Sequence, residues 1–215
     1  IIFLAQNKNQ VVLLTSQFGD KIDCQVVGLD TGELKDSNLS NLSKKGVERK
    51  FIVYHGSLHE AKGYKFFISL ALELDRYNFF IPYSKNEVEK KLKSTIICKN
   101  ITFQNCKWET GLKEIVSNAI IVLNPSMWSA PIEGALLKSI TYNGNVATVE
   151  TKHGFEAELK DYSCIQRLNS DPQIAATQLD DYIKSKITNN QYDLNSLRKT
   201  LYKMSTNKAL NMIKN

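Results

Sequence analysis

Phe51-Ile52-Val53-Tyr54-His55-Gly56-Ser57-Leu58-His59-Glu60-Ala61-Lys62-Gly63 runs from an apolar stretch of strand length, through a glycine turn, to a lysine-glycine pair. Beyond it, Tyr64, Phe67, Ile68, Ala71 and Leu72 recur at the spacing of one helix face. A strand that turns into an amphipathic helix is half of a βαβ unit, and the alternation continues downstream. Phe79-Phe80-Ile81 predicts a second strand, residues 87–93 a short helix, and Ile96-Ile97-Cys98 and Ile101-Thr102-Phe103 two further strands. Leu112, Ile115 and Val116 mark a helix face. Ile120-Ile121-Val122-Leu123 is apolar at every position, as expected of a strand covered on both faces of a parallel sheet. Pro131 opens a helix through Leu136, Leu137 and Ile140, and residues 145–149 return as a strand. Strands alternating with helices of about ten residues predict an α/β fold with a doubly wound parallel sheet.

Outward from this block the pattern is less regular. Residues 1–5 read as a buried strand, 9–18 as a helix closed by Gly19, and 24–29 as another strand. Residues 31–50 are polar, without periodicity, and read as a linker. Asp171-Pro172 is a helix start, a capping side chain followed by proline. Ile174, Leu179, Tyr182, Ile183 and Ile187 supply that helix with an apolar face, and a last helix is expected from Asp193 towards the end.

Composition excludes several classes. With 215 residues, 42% hydrophobic and 23% charged, the chain is that of an ordinary globular protein. No apolar run reaches the ~18 residues of a membrane span. The opening residues are too short for a signal-peptide core and have no basic stretch before them. A start at Ile1 rather than Met is read as a cut from a longer chain, or as a first residue that is not the true start. Cys24, Cys98, Cys106 and Cys164 form no Cys-x-x-Cys pair and lie at no metal-ligand spacing with the three histidines, so reduced thiols and no metal site are expected. The net charge of +6 suits phosphate ligands, anionic headgroups or nucleic acid. Clustered basic residues with interleaved aromatics are missing, so nucleic acid is not expected as a partner.

In open parallel sheets ligands bind beyond the carboxyl ends of the strands. Two such ends carry unusual residues. At the first, Gly56 permits close backbone approach and Lys62 brings a cation; a turn glycine and a solvent lysine explain the same residues. At the second, Leu123-Asn124-Pro125-Ser126-Met127-Trp128-Ser129-Ala130-Pro131-Ile132-Glu133-Gly134 leads from a buried strand into a helix. Free amides at a helix amino terminus attract an anion. Ser129 is placed to cap the helix or bind a phosphate oxygen, Gly134 keeps the first turn open, and Glu133 lies in that turn, where it also complements the helix dipole. Trp128 reads as a packing aromatic. His55, His59 and His153 flank these glycine turns, with structural and functional readings both open.

Together the two segments resemble the C-terminal, donor-binding domain of GT-B-fold glycosyltransferases of group 1 (family four, retaining). Residues 53–63 resemble the family's strand-G-R-L-x-x-x-K-G signature, and 125–139 its P-S-x-x-E-P-F-G-x-x-x-L-E-A stretch. Asn145-Val146-Ala147-Thr148 and His153-Gly154 resemble its P-V-V-A-T strand and following glycine loop. Two departures stand out. The family's arginine is Ser57 here, and its E-x7-E carboxylates fall at Ala130 and Lys138. Either the donor is held differently, Glu133 partly replacing the first carboxylate, or the site has decayed.

The resemblance implies a Rossmann-like half of a GT-B enzyme. Residues 1–50 would be the end of the partner domain and the linker, 51–190 the nucleotide-sugar domain, and 191–215 a C-terminal helix. It implies sugar transfer from a nucleotide-diphosphate sugar, with retention, without a metal or other cofactor, in glycan or polysaccharide synthesis. Lys62 and Glu133 would be catalytic. Gly56, Ser57, Ser129, Ile132 and Gly134 would join them around the diphosphate, Asn105 and Lys107 would lie at the base, and Lys138 at the ribose. The implied partners are the donor, an acceptor glycan or lipid-linked sugar, and an N-terminal GT-B domain without which this chain is expected to be inactive. The implied location is cytoplasmic, with room for peripheral association at the inner face of the membrane. The alternative is a nucleotide-sugar-binding module or an inactive partner subunit.

Overall fold

The computed structural model describes residues 2–5, 8–19, 21–26, 49–127, 133–151, 159, 161–162, 164–185 and 196–201. The first two strands, β1 (Ile2–Ala5) and β2 (Asp23–Val26), pair in parallel across helix α1 (Lys8–Phe18). Gly19, at φ +74°, closes that helix as expected. Val12 and Phe18 of α1 are exposed, and Phe18 stacks on Phe3 of β1.

The rest follows the predicted alternation: β3 (Phe51–Tyr54), α2 (Tyr64–Glu73), β4 (Asn78–Ile81), α3 (Lys85–Leu92), β5 (Ile101–Phe103), α4 (Leu112–Ser117), β6 (Ile121–Asn124), α5 (Gly134–Tyr142), β7 (Val146–Val149), β8 (Ile165–Leu168) and α6 (Pro172–Ser185). The six strands from β3 onward form one parallel sheet in the order β5-β4-β3-β6-β7-β8. The chain winds outward from β3 to β5, then returns to place β6 against the other side of β3. The doubly wound fold is therefore present, and its topological switch falls between β3 and β6.

Both faces of the sheet are covered, which explains the unbroken apolar strands. On one face Ile52, Tyr54, Phe79 and Leu123 pack with Phe67 and Leu70 of α2 and Leu179 of α6. On the other, Val53, Phe80 and Val122 meet Leu112 and Val116 of α4, while Val146 and Ile165 meet Leu137 and Ile140 of α5. Leu197 and Leu201, in the helical residues 196–201, join this second face.

Several expectations need correcting. Ile96-Ile97-Cys98 is not a strand: the Ile96 amide is taken by Glu89 Oε1 at 2.8 Å, and Ile97 is 80% exposed. The side-chain amide of Asn100 reaches the carbonyls of Ala71, Leu74 and Tyr77 and steers the chain into β5. Leu72 and Ile174 are exposed rather than on their helices' buried faces; Phe66, Leu70, Ala175 and Ala176 occupy those faces. Strand β8 is an addition, hidden in the sequence because Gln166 and Arg167 interrupt its apolar residues. Asp171 caps α6 as expected, its Oδ1 accepting from the amides of Gln173 and Ile174. Helix α5 begins at Gly134 with Glu133 as its N-cap, so Glu133 precedes the first turn instead of lying within it. Trp128, Ser129, Pro131, Ile132, His153, Gly154 and the expected linker through residue 48 lie outside the described residues.

One contact fixes the switch point. Gly63 has φ +72°, and a Cβ there would lie 1.8 Å from the Pro125 carbonyl oxygen. At Gly134 a Cβ would meet nothing within 4 Å. Gly63→Ala should therefore cost at least ~3 kcal/mol of unfolding free energy, whereas Gly134→Ala should be neutral or stabilise by up to ~1 kcal/mol. Urea denaturation of the two variants checks this; equal losses would contradict it.

Candidate functional site

The site lies where β3 and β6 end side by side. The loops leaving them are stitched together. The His55 amide donates to Leu123 O at 2.9 Å, the Met127 amide to Ala61 O at 2.8 Å, and Ser126 Oγ to the same carbonyl at 3.3 Å. The Asn124 side-chain amide donates to His55 O at 2.6 Å.

The loop after β3 is also held from beneath. Tyr83 donates its hydroxyl to Gly56 O at 3.1 Å, and Tyr54 donates to Ser57 O at 2.6 Å. With Asn124 on His55 O, three consecutive carbonyls are engaged from inside. In a planar trans peptide the N–H lies opposite the C=O. The amides of Gly56, Ser57 and Leu58 are therefore directed away from these donors. Glycine at position 56 has a steric cause that sequence reading did not supply: a Cβ there would lie 2.9 Å from Tyr54 Oη. Tyr54 is buried, and its hydroxyl ionises well above the ordinary range, first because of that burial and then because of Tyr83, Glu133 and Tyr64.

Lys62 ends a 3-10 turn (Glu60–Lys62) that His59 caps, its Nδ1 accepting from the Ala61 amide at 3.3 Å. This gives His59 a structural role. Lys62 Nζ lies 2.7 Å from Glu133 Oε1, with side-chain exposures of 24% and 15%. The two residues picked from distant segments of sequence thus meet at the amino end of α5. Glu133 caps no amide of α5 with its side chain; its carboxylate is held by Lys62. The edge therefore carries a partly buried cation already matched to an internal anion.

Of the other predicted residues, Ser57, Asn105 and Lys107 are exposed, Ser57 after β3 and the other two after β5. Lys107 begins the 3-10 turn Trp108–Thr110, and its backbone exchanges hydrogen bonds with Thr110. Lys138 is on α5 with Nζ 4.6 Å above the Trp108 ring.

A cluster not assembled from sequence surrounds that contact. The Trp108 ring stacks parallel to His55, centroids 5.3 Å apart, and meets Tyr142 edge-on at the same distance. His55 Nδ1 lies 2.8 Å from Ser139 Oγ. Ser139 donates its own proton to Ala135 O at 2.8 Å, so it accepts from His55, and Nδ1 carries the ring proton. Burial, followed by the nearby Lys138 cation, lowers the His55 pKa to about 4. The imidazole is therefore neutral at pH 7 and holds α5 and the loop after β5 against the end of β3. Among the described residues no three His, Cys, Asp or Glu side chains converge as metal ligands, and no helix is long and apolar enough to cross a membrane.

The fold is similar to that of several solved structures. The chain is similar to a glycosyltransferase from Rickettsia africae, at 13% identity over 98% of this chain and 62% of that one, with a TM-score of 0.70. It is similar to sucrose-phosphate synthase from Thermosynechococcus elongatus, at 12% identity over 99% of this chain and 57% of that one, with a TM-score of 0.74. It is also similar to HepE from Anabaena, solved in complex with UDP, at 13% identity over 100% of this chain and 63% of that one, with a TM-score of 0.66. This chain thus spans about 60% of the length of these neighbours. No family model matches the chain, and no curated protein matches its sequence. The Rossmann-like, doubly wound fold implied by the resemblance is the fold observed, and it is shared with one part of these longer structures.

The His55 environment has a measurable consequence. A histidine whose folded pKa is depressed stabilises the protein above its unfolded pKa of ~6.5, and that contribution is lost as pH falls towards about 4. Between pH 7.5 and pH 5 the wild type should lose ~2 kcal/mol more unfolding free energy than His55→Gln. Urea titrations at the two pH values check this; parallel losses would contradict it.

Proposed function

We propose that this chain is the donor-binding half of a glycosyltransferase that uses a nucleotide-diphosphate sugar. The observation that carries the reading is the Lys62–Glu133 pair at the switch between β3 and β6, at the amino end of α5. Crevices at such switch points are ligand sites in open α/β sheets, and a cation beside helix amides suits a diphosphate. As the sugar leaves, negative charge grows on the diphosphate. Lys62 and the amides at the start of α5 are fixed before reaction and stabilise that charge without reorganising. The loop amides of Gly56, Ser57 and Leu58 add donors where the family has an arginine. The trehalose-phosphate synthase among the structural neighbours is described as UDP-forming, and HepE was solved with UDP, so UDP is the first nucleotide to test.

The finer assignments follow the resemblance. Transfer proceeds with retention and requires no cofactor beyond the donor. Ser129, Ile132 and Gly134 line the diphosphate, the base lies by Asn105 and Lys107, and the ribose by Lys138. The acceptor glycan or lipid-linked sugar binds a separate N-terminal domain, so this chain alone binds nucleotide weakly and transfers no sugar. The work is done at the cytoplasmic side, with peripheral membrane contact through the acceptor.

One observation favours a second reading. Lys62 is matched by Glu133, and Lys138 stands where the family has a carboxylate, so a nucleotide-sugar-binding module or inactive partner subunit has the same diphosphate site without turnover. Donor hydrolysis or transfer by a protein that also contains the acceptor domain separates the two readings.

Calorimetric titration with UDP tests the shared core. Lys62→Ala should weaken binding roughly tenfold to hundredfold, the value of a hydrogen bond to a charged group. Glu133→Gln should strengthen it a few-fold by releasing the lysine. Unchanged affinity in Lys62→Ala would contradict the reading.

A further inference from the structure

Three buried polar atoms have no hydrogen-bond partner among the described residues: Asn124 Oδ1, Thr148 Oγ1 and Arg167 Nε. They are not scattered. Asn124 is in register with Thr148, and Thr148 with Arg167, so they form one row across β6, β7 and β8. Each lies two residues beyond an apolar partner, Val122, Val146 and Ile165, and alternate residues share a sheet face. Val146 and Ile165 pack against α5, so the row is on the α5 face, at the carboxyl edge, on the β7 side of the Lys62–Glu133 pair. Asn124 and Thr148 are each 3% exposed. Buried polar groups are almost always satisfied, and three exceptions in one line require an explanation.

The atoms themselves limit what can satisfy them. Asn124 gives its amide protons to His55 O, which leaves Oδ1 as an acceptor. Arg167 Nε only donates, and its guanidinium has Glu150 3.9 Å away. Thr148 does both. An anion is repelled at Asn124, a cation at Arg167, and an apolar group leaves all three unpaired. A neutral compound with several hydroxyls donates to the first and accepts from the others. Adjacent strands lie about 4.8 Å apart, so the row is about 10 Å long, comparable with the breadth of one hexose ring with its substituents. The start of α5 leaves open space at Gly134 on the same edge.

We infer that the Asn124–Thr148–Arg167 row is a hydroxyl-recognition subsite that receives the glycosyl group of the donor. The inference rests on the reading of the switch-point cleft as a nucleotide-sugar site, and it places the sugar over β6 to β8. Thr148 is then a specificity-determining residue that touches the sugar and not the nucleotide.

Thr148→Val tests this, because it keeps the shape and removes an unpaired hydroxyl. The 215-residue chain and this variant are titrated with UDP, with UDP-glucose and with free glucose, and their melting temperatures are measured without ligand. The expected result is UDP affinity unchanged, UDP-glucose affinity reduced about fivefold or more, and a melting temperature equal to or above that of the wild type. Free glucose should raise the melting temperature of the wild type more than that of the variant. Equal effects on UDP and UDP-glucose, or none on either, would overturn the inference. So would a lower melting temperature with unchanged binding, which would mean the hydroxyl serves a structural water. If the wild type binds neither nucleotide, the diphosphate reading fails, and the glucose arm alone decides the row: no difference between the two proteins overturns it.

Discussion

The close approach of the Pro125 carbonyl to Gly63 is the constraint on which the site depends. Two loops from sequence-distant strands touch there with no room for a side chain. Main-chain hydrogen bonds then run between them, from Met127 to Ala61 and from His55 to Leu123. Lys62 precedes Gly63 and inherits its position from that contact. A βαβ chain that reverses direction beside its first strand must bring two such loops together. In this protein the junction is closed tightly enough that one lysine side chain reaches the carboxylate just before the next helix.

The electrostatic character of the site follows from the same packing. The carbonyls of His55, Gly56 and Ser57 are bound from within by Asn124, Tyr83 and Tyr54. The remaining polarity of that loop is therefore positive at its outer edge, where Lys62 and the start of α5 also lie. Glu133 is the counterweight. It keeps a partly buried lysine from being an uncompensated charge. Away from the Lys62–Glu133 pair, the partly buried Trp108 ring stacks on the buried His55, which Ser139 holds in place, and Lys138 lies over the indole.

Much of this architecture was legible in the residues. Ile121, Val122 and Leu123 read as a doubly covered strand because nothing polar interrupts them. Lys62 and Glu133 were legible because strand, glycine and helix start are local signals. Strand β8 was not, since Gln166 and Arg167 break its pattern and its partner β7 is set only by the fold. The exposure of Ile97 was equally hidden, because that segment is directed by Glu89 on the Ile96 amide and by the reach of Asn100 back to the carbonyls of Ala71, Leu74 and Tyr77, which apolar patterning does not report. The His55–Trp108 stack and the row at Asn124, Thr148 and Arg167 depend on register between strands, which no single stretch of sequence encodes. A polar residue closing an apolar strand at its carboxyl end, as Asn124 does, is the one local sign that was available.

The most direct measurement is a crystal structure of this chain grown with UDP. The diphosphate should lie between Lys62 Nζ and the first amides of α5, with the Glu133 carboxylate displaced from the lysine. A nucleotide found elsewhere on the molecule, or a Lys62–Glu133 pair left intact beside bound UDP, would contradict it.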